Sequence, residues 1–127
     1  ANYIDNNVLL TGTARIQYNT LSAGNASIYN NQLNSNATSI QYNNLNGNGA
    51  NINNNILSNS NCYIRYNTLN AYTSSISSNT ISGASSEIQY NVLLAANSSI
   101  SSNTISGGSS FIRYNSLQGG SSNINTN

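Results

Sequence analysis

Isoleucine returns every twelve residues along this chain, at Ile4, Ile16, Ile28, Ile40, Ile52, Ile64, Ile76, Ile88, Ile100, Ile112 and Ile124. Five residues after each of the first ten stands a second aliphatic: Leu9, Leu21, Leu33, Leu45, Leu57, Leu69, Ile81, Leu93, Ile105 and Leu117. Three residues after each Ile is an asparagine: Asn7, Asn19, Asn31, Asn43, Asn55, Asn67, Asn79, Asn91, Asn103, Asn115 and Asn127. The unit is thus I-x-x-N-x-[LI] followed by six more residues, and a fixed period of this kind is the signature of a repeat architecture.

Counting the Ile as position one, position eleven is always small: Ala14, Ala26, Thr38, Ala50, Cys62, Ser74, Ser86, Ser98, Ser110 and Ser122. A small residue two places before the next Ile puts both on one face of a strand, because side chains alternate with period two. All nine Gly fall at positions eight to ten, where a turn needs positive φ or close backbone approach. The invariant Asn then marks a strand-to-strand corner. The period predicts β-structure and no helix.

Position three sets the length of a coil. Tyr18, Tyr42, Tyr66, Tyr90 and Tyr114 occupy every second unit, while Asn6, Asn30, Asn54, Ser78, Ser102 and Thr126 occupy the others. Position two follows the same rule, with Gln17, Gln41, Arg65, Gln89 and Arg113 preceding each of those Tyr. A coil of 24 residues made of two dissimilar halves stacks like on like, whereas a coil of twelve stacks Tyr on Ser. The chain is therefore expected to be one all-β domain over 1–127, a parallel β-solenoid of about five coils (127/24) with Asn ladders at its corners. The two copies of SSNTISG, at 77–83 and 101–107, should lie one above the other.

Such a coil buries its inner face only against its neighbours, at the ~4.8 Å spacing of paired strands. Alternation from Ile places position three inward. The Tyr column is thus expected to fill the interior opposite the Ser and Asn half, with a facing Asn or Ser bonding each phenol. A column pointing outward would instead form a sugar-binding or partner surface. The Gln/Arg column faces out and reads as a solvated strip, or as a hydrogen-bonding groove for an uncharged glycan.

Composition alone suggests the opposite of a fold. The chain has 29 Asn, 23 Ser and 9 Thr against no Pro, Met or Trp, a bias shared with polar disordered tracts. The period decides for the repeat. Net charge is +1, from Arg15, Arg65 and Arg113 against Asp5 and Glu87, with no Lys and no His. Three dispersed Arg do not make the clustered cations that nucleic acid or anionic lipid requires. The longest apolar runs, VLL at 8–10 and VLLAA at 92–96, are far short of the ~20 residues of a membrane helix. No signal or anchor segment is visible, so the chain is a mature protein or a fragment.

Catalytic chemistry has little to draw on. Asp5 and Glu87 are the only acids, 82 residues apart, and too far along the axis to act as a carboxylate pair. Cys62 has no His to activate it, occupies the small inward position and reads as core filler. The residues imply no metal and no cofactor. Three N-x-S/T sequons, at Asn25, Asn36 and Asn97, are fewer than this composition produces unaided.

The SSNTISG and IQYNNL units resemble the repeats of right-handed parallel β-helix proteins of the pectate-lyase-like group, whose Asn ladders sit at a strand corner. The resemblance covers nearly the whole chain and implies a right-handed solenoid, without implying lyase chemistry. I-x-x-N-x-L is also similar to half of a leucine-rich repeat, although Ala, Cys, Ser or Thr replaces the usual upstream Leu. NTISG, at 79–83 and 103–107, is similar to the grass ice-binding β-roll repeat, whose spacing is shorter than twelve.

Three functions follow as expectations. The foremost is a non-catalytic structural module of an extracellular fibre, filament, adhesin or surface layer, self-associating end to end. Its support is that the chain starts at ANYI and stops at NINTN with no capping element, so that open β-edges invite another coil. Ice binding is the second, to be sought in the outward position-five columns: Thr20, Asn44, Thr68, Val92, Ser116 in one half and Val8, Gln32, Ile56, Thr80, Thr104 in the other. Neither is regular. Recognition of an uncharged glycan is the third.

Overall fold

A computed structural model describes residues 1–22 and 24–125. Among them there is no helix, and seventeen strands run from Asn2–Asp5 to Ser121–Asn125. Every strand pairing is parallel and joins residue i to residue i+24: Ile4 to Ile28, Ile28 to Ile52, Ile52 to Ile76, Ile76 to Ile100, Ile100 to Ile124. The molecule is a parallel β-solenoid of 24 residues per coil. The two SSNTISG copies pair through Thr80–Thr104, Ile81–Ile105 and Ser82–Ser106, as their stacking requires.

Each coil passes once through a nine-stranded and once through an eight-stranded sheet. Asn44–Asn53 lies in the former, Ile56–Arg65 in the latter, Thr68–Ser77 again in the former and Thr80–Gln89 again in the latter. Between these four strands only two residues turn the chain, one at position three and the invariant Asn. In these middle coils the strands continue through positions eight to ten, where the sequence suggested a glycine turn. Coil-to-coil pairing there, such as Gly47 with Ala71 and Gly49 with Thr73, overrides the local turn signal.

The corner is made by an unusual backbone. Every described position-three residue is left-handed: φ is 54° to 58° at Tyr18, Tyr42, Tyr66, Tyr90 and Tyr114, and 55° or 56° at Asn6, Asn30, Asn54, Ser78 and Ser102. Asn and Ser tolerate this conformation better than a bulky aromatic does. The left-handed residue interrupts the two-residue alternation, so positions two and three both face outward and the next residue, Asn, turns in. The expectation that the Tyr column fills the interior is therefore overturned, and with it the facing Asn or Ser partner for each phenol. Thr126 and Asn127 lie outside the described residues.

The Asn side chains complete the backbone at this bend. In the middle coils, Asn43 donates its backbone N–H to Asn67 Oδ1 at 3.0 Å, and its Nδ2 to the same oxygen at 3.0 Å and to the Ile16 carbonyl at 3.0 Å. Asn67 repeats this on Asn91 Oδ1 and the Ile40 carbonyl. The flanking N–H groups bond conventionally: Tyr66 N–H to the Gln89 carbonyl, Thr68 N–H to the Asn43 carbonyl. Two ladders result, Asn7-Asn31-Asn55-Asn79-Asn103 and Asn19-Asn43-Asn67-Asn91-Asn115, one at each edge of the flattened coil.

Between the sheets lie mainly the small position-eleven residues and the two aliphatic columns, joined at position eight by small residues such as Ser35, Ala71 and Ala95. Ile28, Leu33, Ile40, Leu45, Ile52, Leu57, Ile64, Leu69, Ile76, Ile81, Ile88 and Leu93 are fully buried. At ~1.5–3 kcal/mol for each such side chain, these columns are the main apolar contribution to stability. Position eleven also ties down nearby carbonyls: the Ser74 hydroxyl donates to the Leu69 carbonyl, Ser98 to that of Leu93 and Ser86 to that of Ser106. Cys62 occupies the same place with its sulfur 3.7 Å from the carbonyls of Asn59 and Ser82.

Candidate functional site

The outer face of the eight-stranded sheet, with the Tyr corner that borders it, concentrates the aromatic and cationic side chains. Arg15, Arg65 and Arg113 all project from this sheet, from strands Thr13–Gln17, Ile56–Arg65 and Ser109–Arg113. At its edge the left-handed corner carries the five Tyr outward in one column. Their rings stack nearly parallel, with centroids 5.2 Å apart for Tyr18–Tyr42, 5.0 Å for Tyr42–Tyr66, 5.1 Å for Tyr66–Tyr90 and 5.2 Å for Tyr90–Tyr114. Such contacts contribute about 0.5–1.5 kcal/mol each beyond burial.

Stacking decides what the column offers. The three middle Tyr are 40–43 % exposed, against 71 % for Tyr18 and 65 % for Tyr114 at the ends. Each middle ring has both faces covered by its neighbours, so the surface shows ring edges and a row of phenol oxygens. A sugar ring stacks on an aromatic face, and only the two end rings leave one free.

Beside this row runs the Gln/Arg column. Gln41 Nε2 donates to Gln17 Oε1 at 3.1 Å, Arg65 Nε to Gln41 Oε1 at 3.0 Å and Arg113 Nε to Gln89 Oε1 at 3.4 Å. Each of the two Arg also lies over an aromatic ring at position twelve of the preceding unit: Arg65 is 4.3 Å from the Tyr63 centroid and Arg113 4.4 Å from that of Phe111. The strip is less solvated than its polarity suggests, because Gln41 and Gln89 are only 6 % exposed under these neighbours. Glu87 Oε1 approaches the Arg113 guanidinium at 3.6 Å, a surface pair worth ~0–1 kcal/mol.

Tyr63 and Phe111 did not stand out in sequence, and Glu87 was weighed there only as a partner for Asp5. A signal was present: the units YIRYN and FIRYN show that an aromatic precedes both column Arg by two residues. On the nine-stranded sheet a smaller cluster forms at the first coil. Tyr3 and Tyr29 meet edge to face at 5.6 Å, and Asn6 Nδ2 donates to Asp5 Oδ2 at 2.8 Å. A hydrogen bond to the Asp5 carboxylate, with lesser help from desolvation and charge, raises the Tyr29 phenol above its ordinary pKa.

The remaining candidates separate in space. Asp5 stands on the nine-stranded sheet and Glu87 on the eight-stranded one, three coils on. Cys62 is buried, and desolvation pushes its thiol pKa up although a hydrogen bond with Thr38 opposes this. Among the described residues no three of His, Cys, Asp and Glu converge. The position-five columns stand in register, Thr20-Asn44-Thr68-Val92-Ser116 on one sheet and Val8-Gln32-Ile56-Thr80-Thr104 on the other, and their mixed side chains present no repeated lattice of hydroxyls. No family model, curated protein or solved structure matches the chain.

Proposed function

We propose that the chain is a non-catalytic structural module, a stiff rod of an extracellular or cell-surface fibre, filament, adhesin or surface layer, lengthened by stacking further coils on its ends. The supporting observation is the regularity of the coil: strand pairing joins i to i+24 from Asn2–Asp5 to Ser121–Asn125, and two Asn ladders and the buried aliphatic columns run along the rod. A stack of like coils is extended by another coil of the same geometry, from a longer polypeptide or a second copy. A net charge of +1 opposes such stacking little. The likeness to pectate-lyase-like repeats extends, in this proposal, to coil architecture and right-handedness and not to substrate. Covered Tyr faces and mixed outer columns count against sugar stacking and ice binding as primary roles.

Sedimentation velocity over a wide concentration range, with negative-stain microscopy of the same samples, tests this. The expected result is reversible growth into rods one coil wide. Particles that stay single at every concentration would overturn it, and thermal hysteresis in an ice-growth assay would favour ice binding instead.

A further inference from the structure

Position twelve of the eight-stranded sheet forms one line along the rod, Arg15, Ser39, Tyr63, Glu87 and Phe111, each paired with the next one coil away. Two further cations lean onto that line from position two. The Arg65 guanidinium sits 4.3 Å from the Tyr63 ring centroid and 5.7 Å from that of Tyr66, and the Arg113 guanidinium 4.4 Å from Phe111 and 5.3 Å from Tyr114. All three Arg of the chain thus share one face, on the first, third and fifth coils, in steps of about 10 Å, twice the ~4.8 Å between paired strands. The matching columns of the nine-stranded sheet, Tyr3-Ser27-Asn51-Ser75-Ser99-Asn123 and Asp5-Tyr29-Asn53-Ser77-Ser101-Asn125, hold no cation. Arg65 donates its Nε–H to Gln41 Oε1, its terminal nitrogens have no partner among the described residues, and Arg15 has none there either. Arg113 differs, since its Nη2 lies 3.6 Å from Glu87 Oε1. A guanidinium held by its Nε and flanked by rings gives up little freedom when its terminal nitrogens take an anionic oxygen.

We propose that this face binds a linear acidic polysaccharide with one carboxylate per disaccharide, laid along the rod axis with successive carboxylates on Arg15, Arg65 and Arg113. The spacing selects the ligand. At physiological salt, screening acts over ~8 Å, so each Arg serves its own anion and the three contacts add through the polymer that links them. An extended disaccharide is about as long as two coils. A polymer charged on every sugar sets its intervening carboxylates against Glu87, which stands on the fourth coil between Arg65 and Arg113, and is rejected by that repulsion. Nucleic acid, with its dense phosphates, is disfavoured in the same way. The neighbouring row of Tyr phenols offers hydrogen bonds to sugar hydroxyls, so recognition proceeds through charge and ring edges and needs no free aromatic face. The site uses only the outer face of one sheet and is independent of end-to-end growth.

The test is isothermal titration calorimetry of the full chain at low salt with hyaluronan, which carries one carboxylate per disaccharide, with polygalacturonate, which carries one per sugar, and with neutral dextran. The variants come from the chain's own repeats: Arg65→Gln and Arg113→Gln copy the Gln one coil away, and Arg15→Ser copies Ser39. Circular dichroism checks that each keeps its β-structure. Hyaluronan is expected to bind, more weakly as salt is added, with polygalacturonate about tenfold weaker and dextran not bound. Arg65→Gln should weaken hyaluronan about tenfold, the loss of one charge-assisted contact, and the three changes together should abolish binding. Glu87→Gln should strengthen polygalacturonate more than hyaluronan. No binding of hyaluronan by the unaltered chain overturns the proposal, as does hyaluronan binding that a folded Arg65→Gln variant leaves unchanged. Equal affinity for polygalacturonate and hyaluronan overturns the selection by spacing on which it rests.

Discussion

At the residue scale the molecule depends on one carboxamide per half-coil. Asn67 is fully buried and serves the Asn43 N–H and Nδ2, the Ile40 carbonyl and the next Asn in its ladder. Asn67→Leu leaves the Asn43 N–H buried without its acceptor and takes a carboxamide donor from the Ile40 carbonyl and from Asn91 Oδ1, at ~1–3 kcal/mol for a buried group left unpaired before the misfit of the larger side chain, so a loss on the order of 3–5 kcal/mol in urea denaturation is expected. The same change at Asn7, exposed on the first coil, should cost less than half of that. The role of Asn was legible because Asn is the one polar residue that recurs in all eleven units. The direction of Tyr was not: alternation points it inward, and nothing in a Tyr suggests a left-handed residue. Tyr66→Asn and Tyr66→Val separate the two contributions. Both lose stacking on Tyr42 and Tyr90, and Val adds a β-branched side chain at φ 54°, so Val should be the less stable by ~1–2 kcal/mol in thermal or chemical denaturation. Equal stability would mean that the corner does not select against branching.

At the element scale the strands owe their register to what lies one coil away more than to local sequence. The strands Asn44–Asn53 and Thr80–Gln89 run straight through glycines that read as turn signals, while Asn59, within Ile56–Arg65, takes φ 103° without one. Turn chemistry is a local cue, and coil-to-coil pairing is not visible locally. The glycine requirement survives where backbone meets backbone: Gly107 has φ 141°, and a Cβ there would lie on top of the Gly83 carbonyl oxygen. Gly107→Ala should therefore destabilise by about 2–3 kcal/mol. Gly108→Ala, whose Cβ would lie 3.4 Å from the Ala84 carbonyl, should change the denaturation midpoint little. Comparable losses at the two sites would contradict the close approach.

At the scale of the whole molecule, the 24-residue coil was legible from the alternation of Tyr with Ser and Asn. The arrangement of the Tyr and Gln/Arg surface was less so, because the partners of Arg65 and Arg113 come from neighbouring coils. With no His, no side chain has its ordinary pKa in the window from about pH 5 to about 8, and stability should be flat there. Above it, the Cys62 thiol and the Tyr29 phenol decide the sign. Both bind their protons more tightly folded than unfolded, so the stability they give is complete below their ordinary pKa values and is lost as pH rises through the raised ones. Denaturation midpoints should fall at alkaline pH, and Cys62→Ser should remove part of the fall. The most direct test of the coil itself is an NMR survey of backbone proton contacts in isotope-labelled protein. Ile52 should show cross-strand contacts with Ile28 and Ile76, at a separation of 24 throughout the chain, and Asn43 N–H should be strongly protected from exchange. Backbone contacts between Ile52 and Ile40 or Ile64, or the short-range pattern of a helix, would contradict it.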